Sequence, residues 1–301
     1  MKSIPVFIIG CHGELGSNLV KKRPTDKYKV VGIGRDNKKL INNADYEYLK
    51  VNIFDRKELK ELFKQYQPRF VINSVAIVDV DECEKEKEYC WKINVETVQN
   101  LIYSCKFVDT NFVHISTDYL FDGKNGPYNE ESRPNPINYY GKSKLAAENF
   151  VISSGLEYSI IRTSTLYSGD NIKQKKNLVL KLWEDFSKGN KVKIIKDEIR
   201  NPTLTVNLAD CIWKLINLER NGIYNIAGKD IIERYNFVME FVKFFGFDEN
   251  LIEAVTSDDF PGRAPRPKNS GLIIDKAEKE LYLNLYNIKK GFEVFKEQLK
   301  V

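Results

Sequence analysis

Tyr140 and Lys144, four residues apart in NYYGKSK, form the pair in this sequence most suited to acid-base chemistry. On a helix, positions four apart share a face about 6 Å along the axis, so a phenol and an ammonium would open on one pocket. A free tyrosine has a pKa of about 10. A cation beside it favours the phenolate and brings proton exchange within reach at neutral pH. Upstream, HISTDYLFDG ends an apolar run in Ser116 and Thr117, whose hydroxyls could hydrogen-bond a polarised substrate oxygen. Tyr and Lys at this spacing are also common neighbours on a helix surface, so the pair takes its meaning from the elements that position it.

Those elements alternate. Val6–Ile9 reads as a buried strand running into Gly10-Cys11-His12-Gly13-Glu14-Leu15-Gly16 and then a helix. This order puts bare backbone N–H groups at a helix N-terminus, where a pyrophosphate can approach without meeting a Cβ. His12 is read as a residue of the turn rather than a catalyst. A second strand, Tyr28–Gly34, ends at Arg35, the point that meets the adenosine ribose in a dinucleotide fold. An acid there binds the 2′-hydroxyl and an arginine accommodates a 2′-phosphate, so Arg35 favours NADP over NAD. Short strands follow around Tyr48–Val51 and Phe70–Val75, the second almost wholly apolar as a strand covered on both faces should be. A long helix runs from Trp91 through Ile102, and a fifth strand, Asn111–Ile115, delivers Ser116 and Thr117. Because side chains alternate along a strand, only one of those two hydroxyls is expected to face a ligand. After the Tyr140 helix comes a sixth strand, Tyr158–Arg162.

The rhythm predicts an α/β fold, a doubly wound parallel sheet of Rossmann type with right-handed crossovers. Residues 1–165 form its nucleotide-binding domain, and residues 166–301 form mainly a smaller C-terminal α/β substrate lobe, with some later elements returning to the sheet. In that lobe, helices are expected at Leu178–Phe186, Asn207–Leu218 and Arg234–Phe245, with strands at Val192–Ile195 and Gly222–Ile226. The Phe260–Leu272 segment, interrupted by Pro261, Pro265 and Pro267, is an irregular loop.

Composition narrows the class. The 301 residues are 42% hydrophobic and 30% charged, ordinary for a globular protein. Lys+Arg 47 against Asp+Glu 42 gives +5, but the signs are interleaved, which argues against a nucleic-acid stripe and suits a small anionic ligand. Five scattered cysteines, with no C-x-x-C and two histidines in the chain, point to reduced thiols and no structural metal. No apolar run approaches the roughly 20 residues of a membrane span, so no membrane association and a cytoplasmic location are expected.

Six blocks in order, ISTDYLFDG, YGKSKLAAE, IIRTSTLYS, DEIRNPT, GIYNIAG and APRPKNSGL, make the chain resemble the dTDP-4-dehydrorhamnose reductase family of the extended short-chain dehydrogenase/reductase superfamily. The resemblance implies NADPH-dependent reduction of the 4-keto group of a nucleotide-linked 6-deoxysugar. It implies Tyr140 as the acid that protonates the carbonyl oxygen, Lys144 as the residue that lowers the tyrosine pKa and binds the nicotinamide ribose, and Thr117 as a hydrogen-bond donor to the substrate oxygen. Gly10, Gly13, Glu14, Leu15 and Gly16 would line the pyrophosphate, Arg35 the 2′-phosphate, Asn52 and Ile53 the adenine, and Asn73 and Ala76 the nicotinamide. Asn201, Thr203, Arg263 and Arg266 would hold the sugar nucleotide. A homodimer is implied by resemblance alone.

The chain departs from the family at Thr165, where a tryptophan is frequent, and in the NLVLKLW run, which leaves the sugar open. Dehydratases carry a Thr-Asp-Glu triplet where this chain has Thr117-Asp118-Tyr119, so the general acid/base for water elimination is missing. Epimerases, like dehydratases, recycle a retained NAD, against which Arg35 speaks. A different class is the methionine adenosyltransferase β-subunit, a regulatory protein with the same sequence pattern that binds NADP.

Overall fold

The computed structural model describes residues 3–42, 44–170 and 177–299. Its strands are β1 (Ile4–Ile9), β2 (Tyr28–Gly34), β3 (Glu47–Lys50), β4 (Phe70–Asn73), β5 (Asn111–Thr117), β6 (Glu157–Thr163), β7 (Leu166–Tyr167), β8 (Val192–Ile195), β9 (Ile199–Arg200), β10 (Thr203–Leu204), β11 (Gly222–Asn225), β12 (Ile232–Glu233) and β13 (Ile252–Val255). The helices are α1 (Glu14–Lys21), α2 (Arg56–Tyr66), α3 (Val80–Lys85), α4 (Lys87–Trp91), α5 (Thr97–Cys105), α6 (Tyr139–Ile152), α7 (Leu178–Ser187), α8 (Thr205–Asn217), α9 (Arg234–Phe245), α10 (Asp275–Leu281) and α11 (Ile288–Leu299).

Seven strands pair in the order β11-β6-β5-β4-β1-β2-β3, all parallel. The apolar runs explain why the sheet is covered twice. Val6, Ile8, Phe70, Ile72, Val113 and Ile161 point to one face, where α1, α8 and α10 pack. Their neighbours Phe7, Ile9, Val71, Phe112 and Ile160 point to the other, under α2, α5 and α6. Alternate residues thus serve opposite cores, and a polar face would have nowhere to go. The strand order reverses between β1 and β4, and at this switch point the strand ends part and leave a crevice.

The chain beyond Thr163 contributes twice to the sheet. Strand β11 pairs with β6, and α8 lies against α1, the Trp213 indole donating to Leu19 O at 2.9 Å. The rest builds a third apolar cluster around Phe186, Phe237, Phe241, Phe292 and Phe295 on α7, α9 and α11, with β8 and β13 parallel beside it. The 260–272 segment has no helix or strand of its own, in keeping with its prolines, and is tied down by bridges Tyr128–Leu272 and Ile199–Asn269. The short pairs β7–β10 and β9–β12 left no periodic signal, since two residues cannot show alternation.

Helix α6 is unusual in what it buries. Its inward face includes Tyr140, Ser143, Lys144 and Glu148, where α5 presents Val98, Leu101 and Ile102. Glu148 is matched by Arg162 of β6 in a two-pronged pair, Nε–Oε1 3.1 Å and Nη2–Oε2 2.8 Å, with both side chains almost completely buried. Removing one partner of such a pair leaves an uncompensated buried charge. Arg162→Met should therefore lower the unfolding free energy by about 3–5 kcal/mol, and adding Glu148→Gln should restore much of it, as read by urea denaturation at pH 7. A single variant as stable as the parent would contradict this account of how α6 is held.

Candidate active site

A cavity of about 560 Å³ opens at the C-terminal ends of β1, β4 and β5, within the size range of small-molecule sites. One wall is the glycine turn. Gly10 takes a left-handed φ of 81°, which turns the chain out of β1. Gly16 lets α1 lie on that turn, since a Cβ there would meet Gly10 O at 2.2 Å. Gly13 caps α1 in an extended conformation. Of the turn residues expected at a pyrophosphate, Gly13, Glu14 and Leu15 line the cavity, while Gly10 and Gly16 shape it from behind.

His12 also lines the cavity, and its ring is engaged on all sides. Nδ1 lies 2.8 Å from Asp36 Oδ2 and Nε2 lies 3.0 Å from Tyr46 OH. The ring stacks on Tyr48 at 4.5 Å between centroids. It ties the glycine turn to the chain that follows β2, as a structural residue of the turn would. Arg35 is exposed in that same stretch.

The second wall holds the Tyr-Lys pair. Asn138 caps α6 by accepting from Gly141 N at 2.8 Å, which fixes the helix start one residue before Tyr139. Thr117, Tyr140 and Lys144 all line the cavity. Burial pushes the Tyr140 phenol well above its usual value, a hydrogen bond with Thr117 acts the other way, and Asp118 adds to the rise. The Lys144 ammonium is turned to the sheet, Nζ donating to Ile115 O at 2.7 Å and lying 3.3 Å from His114 Nε2. Burial draws it down to about 8, with Glu148 opposing. The lowering expected from the lysine does not govern the tyrosine here: burial is the largest influence, and the group that opposes it is Thr117. His114 is held well below the usual histidine range by burial and by the Lys144 charge, and so is neutral.

Asn94 supports this wall and went unnoticed in the sequence. It sits on a π-helical turn, Lys92–Glu96, between α4 and α5. Its side chain accepts from Ile77 N at 2.8 Å and donates to Ile77 O at 3.1 Å and Ser143 Oγ at 3.0 Å. Apolar spacing predicts the long helix but cannot reveal the one-residue insertion that turns Asn94 inward. Around Tyr140 pack Val80, Cys83, Cys90 and Ala264.

The third wall comes from the C-terminal half. Thr163, Ser164 and Thr165 line it, with Arg200 and Arg234. Thr165 adopts a left-handed φ of 35°, a conformation that costs a β-branched residue about 1–3 kcal/mol and that clusters at functional sites. The hydroxyls of Ser116, Thr163 and Ser164 are buried without a partner among the described residues, all at residues lining this cavity. Both Ser116 and Thr117 thus reach the lining, although alternation favoured one of them.

Arg200 is buried between Asp118 (3.0 Å), Ser270 (2.9 Å) and Glu198 (3.3 Å), and its guanidinium lies 4.5 Å over the Tyr119 ring. Glu198 also meets Arg234 at 2.8 Å and Arg263 at 2.6 Å. Burial would raise the Glu198 carboxyl, but Arg234, Arg200 and Arg263 together hold it below the usual range. Three guanidiniums against Glu198 and Asp118 leave this five-membered cluster with one positive charge in excess, and Arg200 and Arg234 are its guanidiniums at the cavity.

Several residues expected at the ligand are used elsewhere. Asn201 is fully buried, donating to Gly228 O (2.9 Å) and Leu272 O (3.2 Å) and accepting from Leu272 N (2.7 Å). Thr203 donates to Asn201 O and accepts from Gly228 N, each at 2.9 Å. Both staple backbone segments and neither lines the cavity. Arg263 is paired with Glu198, and Arg266 with Asp81 through contacts of 3.0 and 2.6 Å, so these guanidiniums brace the proline-rich segment, while Arg200 and Arg234 face the cavity. Asn73 is buried beside His114, its Oδ1 accepting from Val75 N at 3.1 Å; the neighbouring Ala76 does line the cavity. Asn52 and Ile53 lie away from it, Asn52 accepting from Phe54 N at 3.1 Å and Ile53 O from Asn100 Nδ2 at 3.2 Å. An arginine that faces a cavity and one that braces a loop look alike in sequence, since only the fold decides which carboxylates meet them.

Residues 4–300 match the family described as "RmlD substrate binding domain". The spore coat polysaccharide biosynthesis protein SpsK of Bacillus subtilis is 32% identical over 270 residues, covering 89% of this chain and 88% of that protein. The methionine adenosyltransferase 2 subunit beta of Xenopus tropicalis is 29% identical over 279 residues, covering 91% and 81%. Among solved structures, dTDP-4-dehydrorhamnose reductase from Bacillus anthracis in complex with NADP superimposes with a TM-score of 0.86 at 27% identity, covering 97% of this chain and 98% of that one. A match over nearly the whole length and a shared seven-stranded frame carry one conclusion: the chain belongs to the RmlD substrate binding domain family, that of the dTDP-4-dehydrorhamnose reductases, NAD(P)-dependent oxidoreductases of the extended short-chain dehydrogenase/reductase type.

Proposed function

We propose that this chain reduces the 4-keto group of a nucleotide-linked 6-deoxysugar with NADPH, taking dTDP-4-dehydrorhamnose to dTDP-L-rhamnose. The observation that carries it is the meeting, in one cavity, of the glycine turn, the Thr117-Tyr140-Lys144 group and a wall bearing Arg200 and Arg234. The residues fit a dinucleotide. The first turn of α1 opens on the cavity behind a cap with no Cβ, and partnerless hydroxyls line the same space. A bound NADPH supplies hydride to the carbonyl carbon.

The chain's own residues handle the charge that this creates. Tyr140, a phenol already protonated at neutral pH and held so more firmly by burial, gives its proton to the carbonyl oxygen as alkoxide charge develops. Thr117, hydrogen-bonded to Tyr140 in the free site, orients the phenol and turns its one hydroxyl proton to the same oxygen when the carbonyl arrives. Lys144 keeps most of its charge below about 8 and stabilises the phenolate left behind, while Ile115 O fixes its direction. Arg234 and Arg200 take the substrate diphosphate, for which guanidinium forks suit paired oxygens. Gly34 offers no acid to a ribose 2′-hydroxyl, and Asp36 is engaged by His12, which leaves Arg35 for a 2′-phosphate and supports NADPH over NADH. Cytoplasmic residence and a homodimer belong to the same proposal. Among the described residues, no helix is long and apolar enough to cross a membrane.

The likeness to methionine adenosyltransferase 2 subunit beta favours a second reading, an NADP-binding regulatory subunit. Co-purification with an adenosyltransferase, together with no NADPH oxidation on any keto-sugar nucleotide, would select it.

Three outcomes are expected. With dTDP-4-dehydrorhamnose, Tyr140→Phe should lose about 10²–10⁴-fold in kcat while still binding NADPH; turnover equal to the parent would remove Tyr140 as the proton donor. Arg35→Ala should weaken NADPH about tenfold and leave NADH nearly unchanged, and equal losses in titrations of both would sink the 2′-phosphate role. Arg234→Ala should raise KM for the sugar nucleotide about tenfold with kcat little altered. An unchanged KM would take the diphosphate away from this wall.

A further inference from the structure

Glu14 places an acid where the proposed ligand brings its densest negative charge. It is the first residue of α1, directly after the Gly13 cap, and it lines the cavity. Its side chain is anchored to the C-terminal half of the chain. Oε1 accepts from Thr205 Oγ1 at 2.9 Å and from Asn177 Nδ2 at 3.4 Å, at the start of α8 and the cap of α7. The carboxyl is therefore held in place and, on the first residue of α1, stays beside the N–H groups that a pyrophosphate would use.

Among the described residues no cation is paired with it. On α1 itself Lys21 is paired with Asp170, and next to the helix Lys22 lies against Asp210 of α8. In the turn, His12 is held by Asp36. Across the cavity Arg234 of α9 and Arg200 of β9 are both held by Glu198, and Lys144 of α6 by the end of β5. A carboxylate here and a pyrophosphate would compete for the same helix N-terminus and repel each other at short range, where the carboxyl is already largely out of water.

We propose that Glu14 receives an anionic dinucleotide only as the neutral acid, so that the pyrophosphate and one proton bind together. This rests on the dinucleotide reading above. Burial has already raised the Glu14 carboxyl to about 7, against the opposing hydrogen bonds of Thr205 and Asn177, and a bound anion raises it further. In the free protein the acid is thus largely ionised by pH 8, and binding there must take up a proton. The neutral acid keeps its hydrogen bonds from Thr205 and Asn177 and gains an O–H that can donate to a phosphate oxygen.

The test is calorimetric titration of the full chain with NADP+ between pH 6 and 9. In the parent, the Kd should rise about tenfold per unit above pH 7. At pH 8, the dependence of the heat on buffer ionisation should report uptake of nearly one proton. Glu14→Gln, which keeps the acceptor for Thr205, should bind tightly with a much flatter profile and without that uptake; the titration of the ligand's own phosphate is common to both proteins and cancels. Identical pH profiles in the two proteins, or no proton uptake by the parent, overturn the role of Glu14 and leave the dinucleotide reading intact. The uptake measurement needs only the parent, so it decides the matter even if the variant folds poorly. Failure of both proteins to bind NADP+ or NADPH at any pH overturns the dinucleotide reading and this inference with it.

Discussion

The fold depends on keeping charge inside a helix-sheet interface. Helix α6 packs on the sheet through Lys144 and Glu148 as well as through Ala147 and Val151. Two buried ions on successive turns are tolerable only if each is met, and β5 and β6 meet them. Ile115 O and His114 receive the ammonium, and the Arg162 guanidinium receives the carboxylate. The direction of Tyr140, one turn earlier, follows from this match. One buried ion pair and one charge-assisted hydrogen bond to a backbone carbonyl, both directional, fix the helix along and about its axis. The interface is thus less a source of stability than a device for aiming the phenol at the cavity.

Much of this was readable in the order of residues. The alternation of strands and helices, with a run at Phe70–Val75 apolar almost throughout, foretold the doubly covered parallel sheet, because such a strand needs both faces hidden. The glycine turn, Thr117, Tyr140 and Lys144 were legible because each needs a residue type that few alternatives supply at that point of the chain. The opposite wall was not. Arg263 and Arg266 stand among prolines in an irregular segment and look free, yet the fold brings Glu198 and Asp81 to them. Arg200 and Arg234 look no different, yet they reach the cavity. Asn201 looks like a ligand residue and is a backbone staple. The electrostatics of the Tyr-Lys pair were also hidden, since spacing along a helix says nothing about how much water remains around it.

The positive wall shows how so many charges can be buried beside one cavity. Glu198 is surrounded by Arg200, Arg234 and Arg263, and Asp118 shares Arg200. The carboxylates orient the guanidiniums and offset part of their desolvation, yet the balance stays positive. An anion arriving here meets donors already aimed and loses little in reorganising them.

Strand β11 carries a consequence for how the chain becomes a protein at all. The outermost strand beside β6 comes from residues 222–225, and α8, which covers α1, from residues 205–217. A chain emerging from synthesis cannot close its nucleotide-binding half when that half is finished. The β6 edge stays open and the face under Trp213 stays bare until more than fifty further residues have followed. The nucleotide-binding sheet is therefore completed only by residues that follow the start of the C-terminal half, and the two cannot be separated by one cut of the chain.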